Sequence, residues 1–255
     1  MDMRKILLIL GILIIAALGA WWFMAYGPML PIPAQQETQS GLSYTTTPQG
    51  DRKYTETTDT YKVEVVYPNT TDAKVQAAID ALVQGEVERF KANIAVIINT
   101  EEAQRIRESG RPYELIIAYK PYQSGNFVSY EFDIYMDTGG AHPNGFFRTL
   151  TLDSGGREVT LADLFISGAP YLERISAEAY TQVLAELTER SGVSISPDME
   201  DTVRIGTSPT PETLQFFVLD GDALVILIPP YQAASYAAGT FAISIPLADL
   251  KDILK

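Results

Sequence analysis

From Ile6 to Tyr26 the chain carries no charged side chain, and nearly every position is apolar. The run of about 21 residues matches the ~20 that a helix needs to cross a bilayer. Arg4 and Lys5 precede it, and Trp21, Trp22 and Tyr26 cluster at its far end, where amphipathic rings suit the headgroup layer. The positive-inside rule then keeps residues 1–5 as a cytoplasmic stub and exports the rest. The alternative is a cleaved signal peptide, whose apolar core spans ~7–15 residues and ends at a small-x-small site. Here bulky Trp-Trp-Phe-Met follows Gly19-Ala20, so residues 6–26 read as an uncleaved transmembrane helix. Residues 27–57 then hold Pro28, Pro31, Pro33 and Pro48 among Gln, Ser, Thr and Gly, a composition that reads as a flexible linker.

Beyond the linker the pattern alternates between two periods. Tyr61 to Tyr67 alternates and reads as a strand stopped by Pro68. Thr71 or Asp72 caps a helix whose apolar positions, Val75, Ile79, Leu82, Val83, Val87, Phe90 and Ile94, fall on one face. Residues 113–119 and 127–136 read as strands joined by a turn at Gln123-Ser124-Gly125-Asn126. Residues 146–152 form the next strand, and Thr160 caps a short helical turn. A longer helix over 170–190 has Leu172, Ile175, Ala179, Val183, Leu184 and Leu187 as its inner stripe. Residues 191–211 read as loop. Strands at 214–219 and 223–228 flank Asp220-Gly221-Asp222, a last strand covers 240–245, and Pro246 opens a terminal helix. No short-period repeat is present. The pattern predicts an α+β fold with antiparallel sheets and helices packed on one face, divided as 58–138 and 139–255.

Composition narrows the function. The formal net charge is −13, from 19 basic and 32 acidic residues. Such a surface repels nucleic acid and anionic headgroups and favours cationic partners, although acidity also serves plain solubility. Cysteine is absent, which removes disulfides, thiolate metal sites and thiol nucleophiles, and leaves a lipoprotein anchor without its acceptor. A bacterial envelope fits this usage.

The candidate chemistry is sparse. His142 is the single histidine, in Gly139-Gly140-Ala141-His142-Pro143-Asn144. It has no nucleophile elbow and no further His or Cys to complete a zinc site. Asp137-Thr138-Gly139 and Asp153-Ser154-Gly155 spell aspartic-protease tripeptides, but only about one strand separates them, and Asp-x-Gly at strand ends is turn chemistry. Asp220-Gly221-Asp222 lacks the further oxygen ligands of a calcium loop. The segment from Pro229 to Gly239 places Tyr231 and Tyr236 among small residues, which suits either recognition or a structural loop. No catalytic, metal or cofactor set is complete. The ligand-binding candidates are His142, Pro143, Asn144, Tyr231 and Tyr236.

Two segments carry a family resemblance. One is Gly139 to Asn144 followed by Phe147, Leu150, Thr151, Leu152, Gly156 and Val159-Thr160-Leu161-Ala162-Asp163-Leu164-Phe165. The other is Phe216-Phe217-Val218 through Pro230-Tyr231-Gln232-Ala233-Ala234-Ser235-Tyr236 to Ile243-Ser244-Ile245-Pro246. Together they resemble the extracytoplasmic domain of RsiV-type anti-sigma factors and the non-catalytic region of PdaC-type peptidoglycan deacetylases, a domain family of unknown function. The stretch over 61–136 is similar to the smaller domain that precedes it. The resemblance implies a membrane-tethered module at the cell wall, and the RsiV branch implies lysozyme as a ligand. About five residues before the membrane are too few to hold a sigma factor, and the deacetylase domain with its metal-binding histidines is missing. The expectation is therefore a single-pass protein of the bacterial plasma membrane, with its C-terminal domain outside. It would bind a peptidoglycan fragment or a cationic, lysozyme-like protein, and no nucleic acid. The alternatives are a carboxylate-dependent enzyme acting on peptidoglycan and a structural scaffold.

Overall fold

The computed structural model describes residues 42–96, 100–140 and 142–255. The apolar run over 6–26 and the first part of the expected linker lie outside them. Among the described residues no helix is long and apolar enough to cross a membrane.

The first sheet holds six strands in the order β1-β2-β3-β4-β5-β6. They are β1 (Thr45–Thr46), β2 (Arg52–Thr57), β3 (Tyr61–Tyr67), β4 (Tyr113–Ser124), β5 (Phe127–Asp137) and β6 (Asn144–Leu152). Alternation sends Val63, Val65, Leu115, Ile117, Phe132 and Ile134 to one face, where they are buried. Helix α1 (Ala73–Ala95) covers that face. Its N-cap is Asp72, whose Oδ1 accepts the N–H groups of Lys74 at 2.9 Å and Val75 at 3.1 Å. The predicted stripe packs as the periodicity requires: Ile79, Val83, Val87, Phe90 and Ile94 are fully buried. Each such side chain stabilises the fold by about 1.5–3 kcal/mol.

Several expectations need correction. The linker reading over 27–57 runs too far, because Arg52–Thr57 pairs with Lys62–Tyr67 of β3. Its polar, Thr-rich composition hid a strand whose inward side chain is Tyr54. The sheet is not wholly antiparallel: β3 and β4 run parallel, joined by a crossover through α1 and α2 (Glu101–Ser109). Helix α2 escaped notice because Ala103 is its one fully buried hydrophobic residue. Strand β4 continues through Pro121, where the sequence suggested an end. Its pairing with β3 stops at Ile117, so Pro121 lies on an edge stretch that needs no second donor.

The second sheet contains β7 (Phe217–Asp220), β8 (Ala223–Ile228) and β9 (Phe241–Pro246), all antiparallel. Helix α3 (Tyr171–Ser191) lays Ile175, Ala179, Val183 and Leu187 on this sheet. The predicted loop over 191–211 contains α4 (Pro197–Gly206), capped by Ser196 with Pro197 in its first turn. Val203 is its only fully buried large side chain, too little to make a periodic stripe. Helix α5 (Leu247–Leu250) closes the chain.

The sheets meet along a hydrogen-bonded seam. In β7 the N–H groups of Phe217 and Leu219 point away from β8 towards the outer face of the first sheet. The Thr149 hydroxyl of β6 accepts the former at 3.2 Å, and the Ser129 hydroxyl of β5 accepts the latter at 3.0 Å. The Gly221 N–H continues the series to Gln123 O at 2.9 Å, and Ser124 returns a bond to Gly221 O at 2.6 Å. The other edge is closed as well: the Gln182 amide of α3 donates to Ser244 O at 3.0 Å and accepts from Ser244 N at 3.3 Å. Because β6 completes the first sheet, the expected boundary near residue 138 runs through a continuous structure.

One ion pair crosses the first core. Glu86 of α1, with no exposed side-chain surface, accepts from Arg148 Nε of β6 at 2.8 Å. The Arg148 guanidinium also lies over the Phe146 and Phe216 rings, at 5.2 and 5.8 Å. At the other end of the sheet, Glu56 accepts from the Tyr54 and Tyr61 hydroxyls and from Lys91 Nζ. Burial by itself would raise the Glu56 carboxyl, but these donors outweigh it and hold it at about 2.

Two outcomes are expected. Ser129→Ala leaves the buried Leu219 N–H without an acceptor and should cost about 1–3 kcal/mol in urea unfolding. A midpoint equal to wild type would show that the seam carries no stability. Glu56 titrates below its ordinary value of 4.5, so its contribution is complete above that pH and is lost as pH falls towards 2. Glu56→Gln should lower stability at pH 7 by about 1–2 kcal/mol, after allowance for partial exposure, and flatten the loss between those limits.

Candidate functional site

The segment after β8 is held by its neighbours before it offers anything to solvent. Ala233 and Ala234 are buried in the second core. Between them and β8, the Gln232 amide donates to Gly206 O at 2.8 Å and to Thr213 O at 2.9 Å. Gly206 is obligatory here: a Cβ would stand 2.2 Å from Gln232 O and 2.5 Å from the Ala233 Cα. With both flanks pinned, Tyr231 takes φ +70°, the one positive value among the described non-glycine residues. A bulky residue in that region is strained by ~1–3 kcal/mol and persists only where its surroundings over-determine it. Downstream, Tyr236–Ala238 forms a 3-10 turn, and Arg190 of α3 donates to Ala238 O and to Thr240 O.

The loop before β6 meets this segment. Pro143 O is only an acceptor, so His142 Nδ1 donates to it across 2.9 Å. In the neutral ring, Nε2 is then the acceptor for the Tyr231 hydroxyl at 3.0 Å. The Tyr236 hydroxyl donates to the same Pro143 O at 3.2 Å. His142 stacks on Tyr236 with centroids 4.4 Å apart and planes inclined by 24°, and Tyr231 lies 5.3 Å from Tyr236. Four of the five sequence candidates thus come together. Asn144 does not join them: it opens β6 opposite Met136, and its side chain makes no hydrogen bond among the described residues.

The tyrosine hydroxyls face inward while much of each ring stays in solvent, 43% of Tyr231 and 36% of Tyr236. Beside them lies a groove of about 510 Å³ between the outer face of the first sheet and the Tyr231 segment. Ile116, Ala118, Asp133, Tyr135 and Phe147 line it from the sheet, and Pro230, Tyr236 and Thr240 from the segment. Asp133 is the one carboxylate among its lining residues. Asp133 pairs with Lys120 at 3.0 Å. The Tyr135 hydroxyl is pushed above its ordinary value, by partial desolvation first and then by Asp137, Glu114 and Tyr236.

The sheet side of the groove was missed in the sequence. Its signal was Ile116 and Tyr135, apolar residues on the face of β4 and β5 that alternation sends away from the core. The protease tripeptides resolve as turns: Asp137 Oδ1 accepts Gly139 N at 2.9 Å, and Asp153 Oδ1 accepts Gly155 N at 2.9 Å and Arg157 N at 3.0 Å. Among the described residues no group of three or more His, Cys, Asp and Glu is placed to hold a metal ion.

Comparison with known proteins divides the chain at this groove. Residues 54–145 match the family profile described as "Deacetylase PdaC", and residues 162–248 match the one described as "Protein of unknown function (DUF3298)". The expected resemblance is therefore present in both halves. His142 and the sheet side fall mostly in the first matched region, the Tyr231 segment in the second. No curated protein matches the chain. Among solved structures, a DUF3298 family member from Bacteroides fragilis is 18% identical, with a TM-score of 0.57 over 86% of this chain and 96% of its own. A DUF3298 family protein from Pseudomonas aeruginosa is 16% identical, with a TM-score of 0.54 over 84% and 94%. At these identities the likeness is one of fold.

The strained backbone has a direct test. At a residue with negative φ, Gly destabilises relative to Ala. At position 231 the order should invert, with Tyr231→Gly more stable than Tyr231→Ala by about 1 kcal/mol in chemical denaturation. The usual order would show that the left-handed conformation is not held in solution.

Proposed function

We propose that this chain is a binding module of the bacterial cell envelope, and that the groove beside Tyr135, Tyr231 and Tyr236 takes a cationic wall-active protein of the lysozyme class. One observation carries the reading. Two loops far apart in sequence converge to present ring faces beside the Asp133 carboxylate. Tyrosine rings with spent hydroxyls offer rigid contact area at small entropic cost. Their faces attract cations, and the formal net charge of −13 adds long-range attraction. The apolar run over 6–26 supports a single-pass anchor in the plasma membrane with this module outside. A muropeptide is the second reading, favoured by the same exposed rings, which also suit the apolar faces of sugars.

Calorimetric titration of the full chain in nanodiscs against lysozyme tests the proposal. Binding should weaken with added salt, since screening shortens electrostatic reach to ~8 Å at physiological ionic strength. Tyr231→Ala and Tyr236→Ala should each lower affinity about tenfold, the loss of an aromatic hot spot. Binding of muropeptides alone would move the assignment to the wall polymer. Turnover of wall fragments, abolished by one Asp or Glu substitution, would replace it with an enzyme. Silence towards both ligands at low salt would remove the proposal.

A further inference from the structure

The stretch Val159-Thr160-Leu161-Ala162 carries part of the family resemblance, yet it takes no part in the groove. It lines a second, more enclosed pocket of about 310 Å³ on another stretch of β6. The size sits at the lower end for small-molecule sites, ~300–1,000 Å³. Val159, Leu161, Leu172 and Phe217 make its apolar wall, and Thr149 and Thr151 contribute hydroxyls. Those hydroxyls are partly committed: Thr149 accepts from Phe217 N at 3.2 Å, and Thr151 shares a 2.9 Å hydrogen bond with Ser129.

We propose that this pocket binds a small amphiphilic amine, its alkyl or aryl body against Leu161, Leu172 and Phe217 and its ammonium at Glu158. The charge pattern selects the ligand. Glu158 is the only ionised side chain lining the pocket, and it is exposed. It makes no ion pair among the described residues, because Arg157 beside it turns to Asp153 at 3.0 Å and Asp163 at 3.6 Å. Tyr171 also lines the pocket; its hydroxyl accepts no hydrogen bond among the described residues, while its ring is fixed by stacking on Phe165 at 4.7 Å. An ammonium brings three donors to these unused acceptors. An alcohol lacks the charge to attract this carboxylate, and a carboxylate ligand is repelled by it.

Three probes of one chain length separate these cases: hexylammonium, 1-hexanol and hexanoate, titrated into methyl-labelled full-length protein and followed by NMR. Hexylammonium should shift the Val159, Leu161 and Leu172 methyl signals, with hexanol at least tenfold weaker and hexanoate silent. Glu158→Gln, an exposed substitution, should erase the preference for the amine over the alcohol. Leu172→Trp should block both, with its thermal midpoint reporting that the fold is intact. Tyr236→Ala should leave amine binding unchanged, which separates this site from the groove. Equal response to hexanoate and hexylammonium, or no methyl shift at millimolar amine, would overturn the assignment.

Discussion

The hydroxyls of Ser129 and Thr149 are the constraint on which the arrangement turns. Strand β7 is the margin of a three-stranded sheet, and alternate N–H groups along it face the interior rather than water. A buried amide without an acceptor costs about 1–3 kcal/mol, so two in succession would make this packing untenable. The first sheet supplies the acceptors from side chains on its outer face, where alternation would otherwise place solvent-facing residues. Small hydroxylated residues fit because they bring an oxygen close without separating the layers. With β7 fixed, β8 is fixed, and with β8 the segment carrying Tyr231. The groove is thus a consequence of how one sheet lies on another.

The cores and the groove draw on different parts of the molecule. The two cores are apolar and well filled, and the buried Glu86–Arg148 pair links α1 to β6 with little solvent contact. Such a pair is weak as a source of net stability but fixes which strand lies under which helix. The elements of the groove are the reverse: exposed rings and a backbone held in an unfavourable conformation by Gln232 and Gly206. The second core bears the strain at Tyr231.

Much of the fold was legible in the sequence because most elements bury a regular stripe. Helices α1 and α3 and strand β3 announce themselves through periodicity, and the β7–β8 hairpin through apolar runs on either side of Asp220-Gly221-Asp222. The misses share a cause. Helices α2 and α4 and strand β2 bury too few apolar side chains to imprint a period, and their formation follows from neighbours distant in sequence. The parallel pairing of β3 with β4 is a choice of topology that neither strand encodes. At the groove, special residues marked the His142 and Tyr231 loops, but their hydrogen bond spans 89 positions. Asn144 looked equivalent to its neighbours and is not, because β6 begins there and its backbone belongs to the ladder.

The amide of Gln182 has a consequence that reaches past a single molecule. By answering both backbone groups of Ser244, it interrupts the template on which another chain would add a strand to β9. A three-stranded sheet engaged from within at both margins offers its copies fewer free backbone groups along which to zip together.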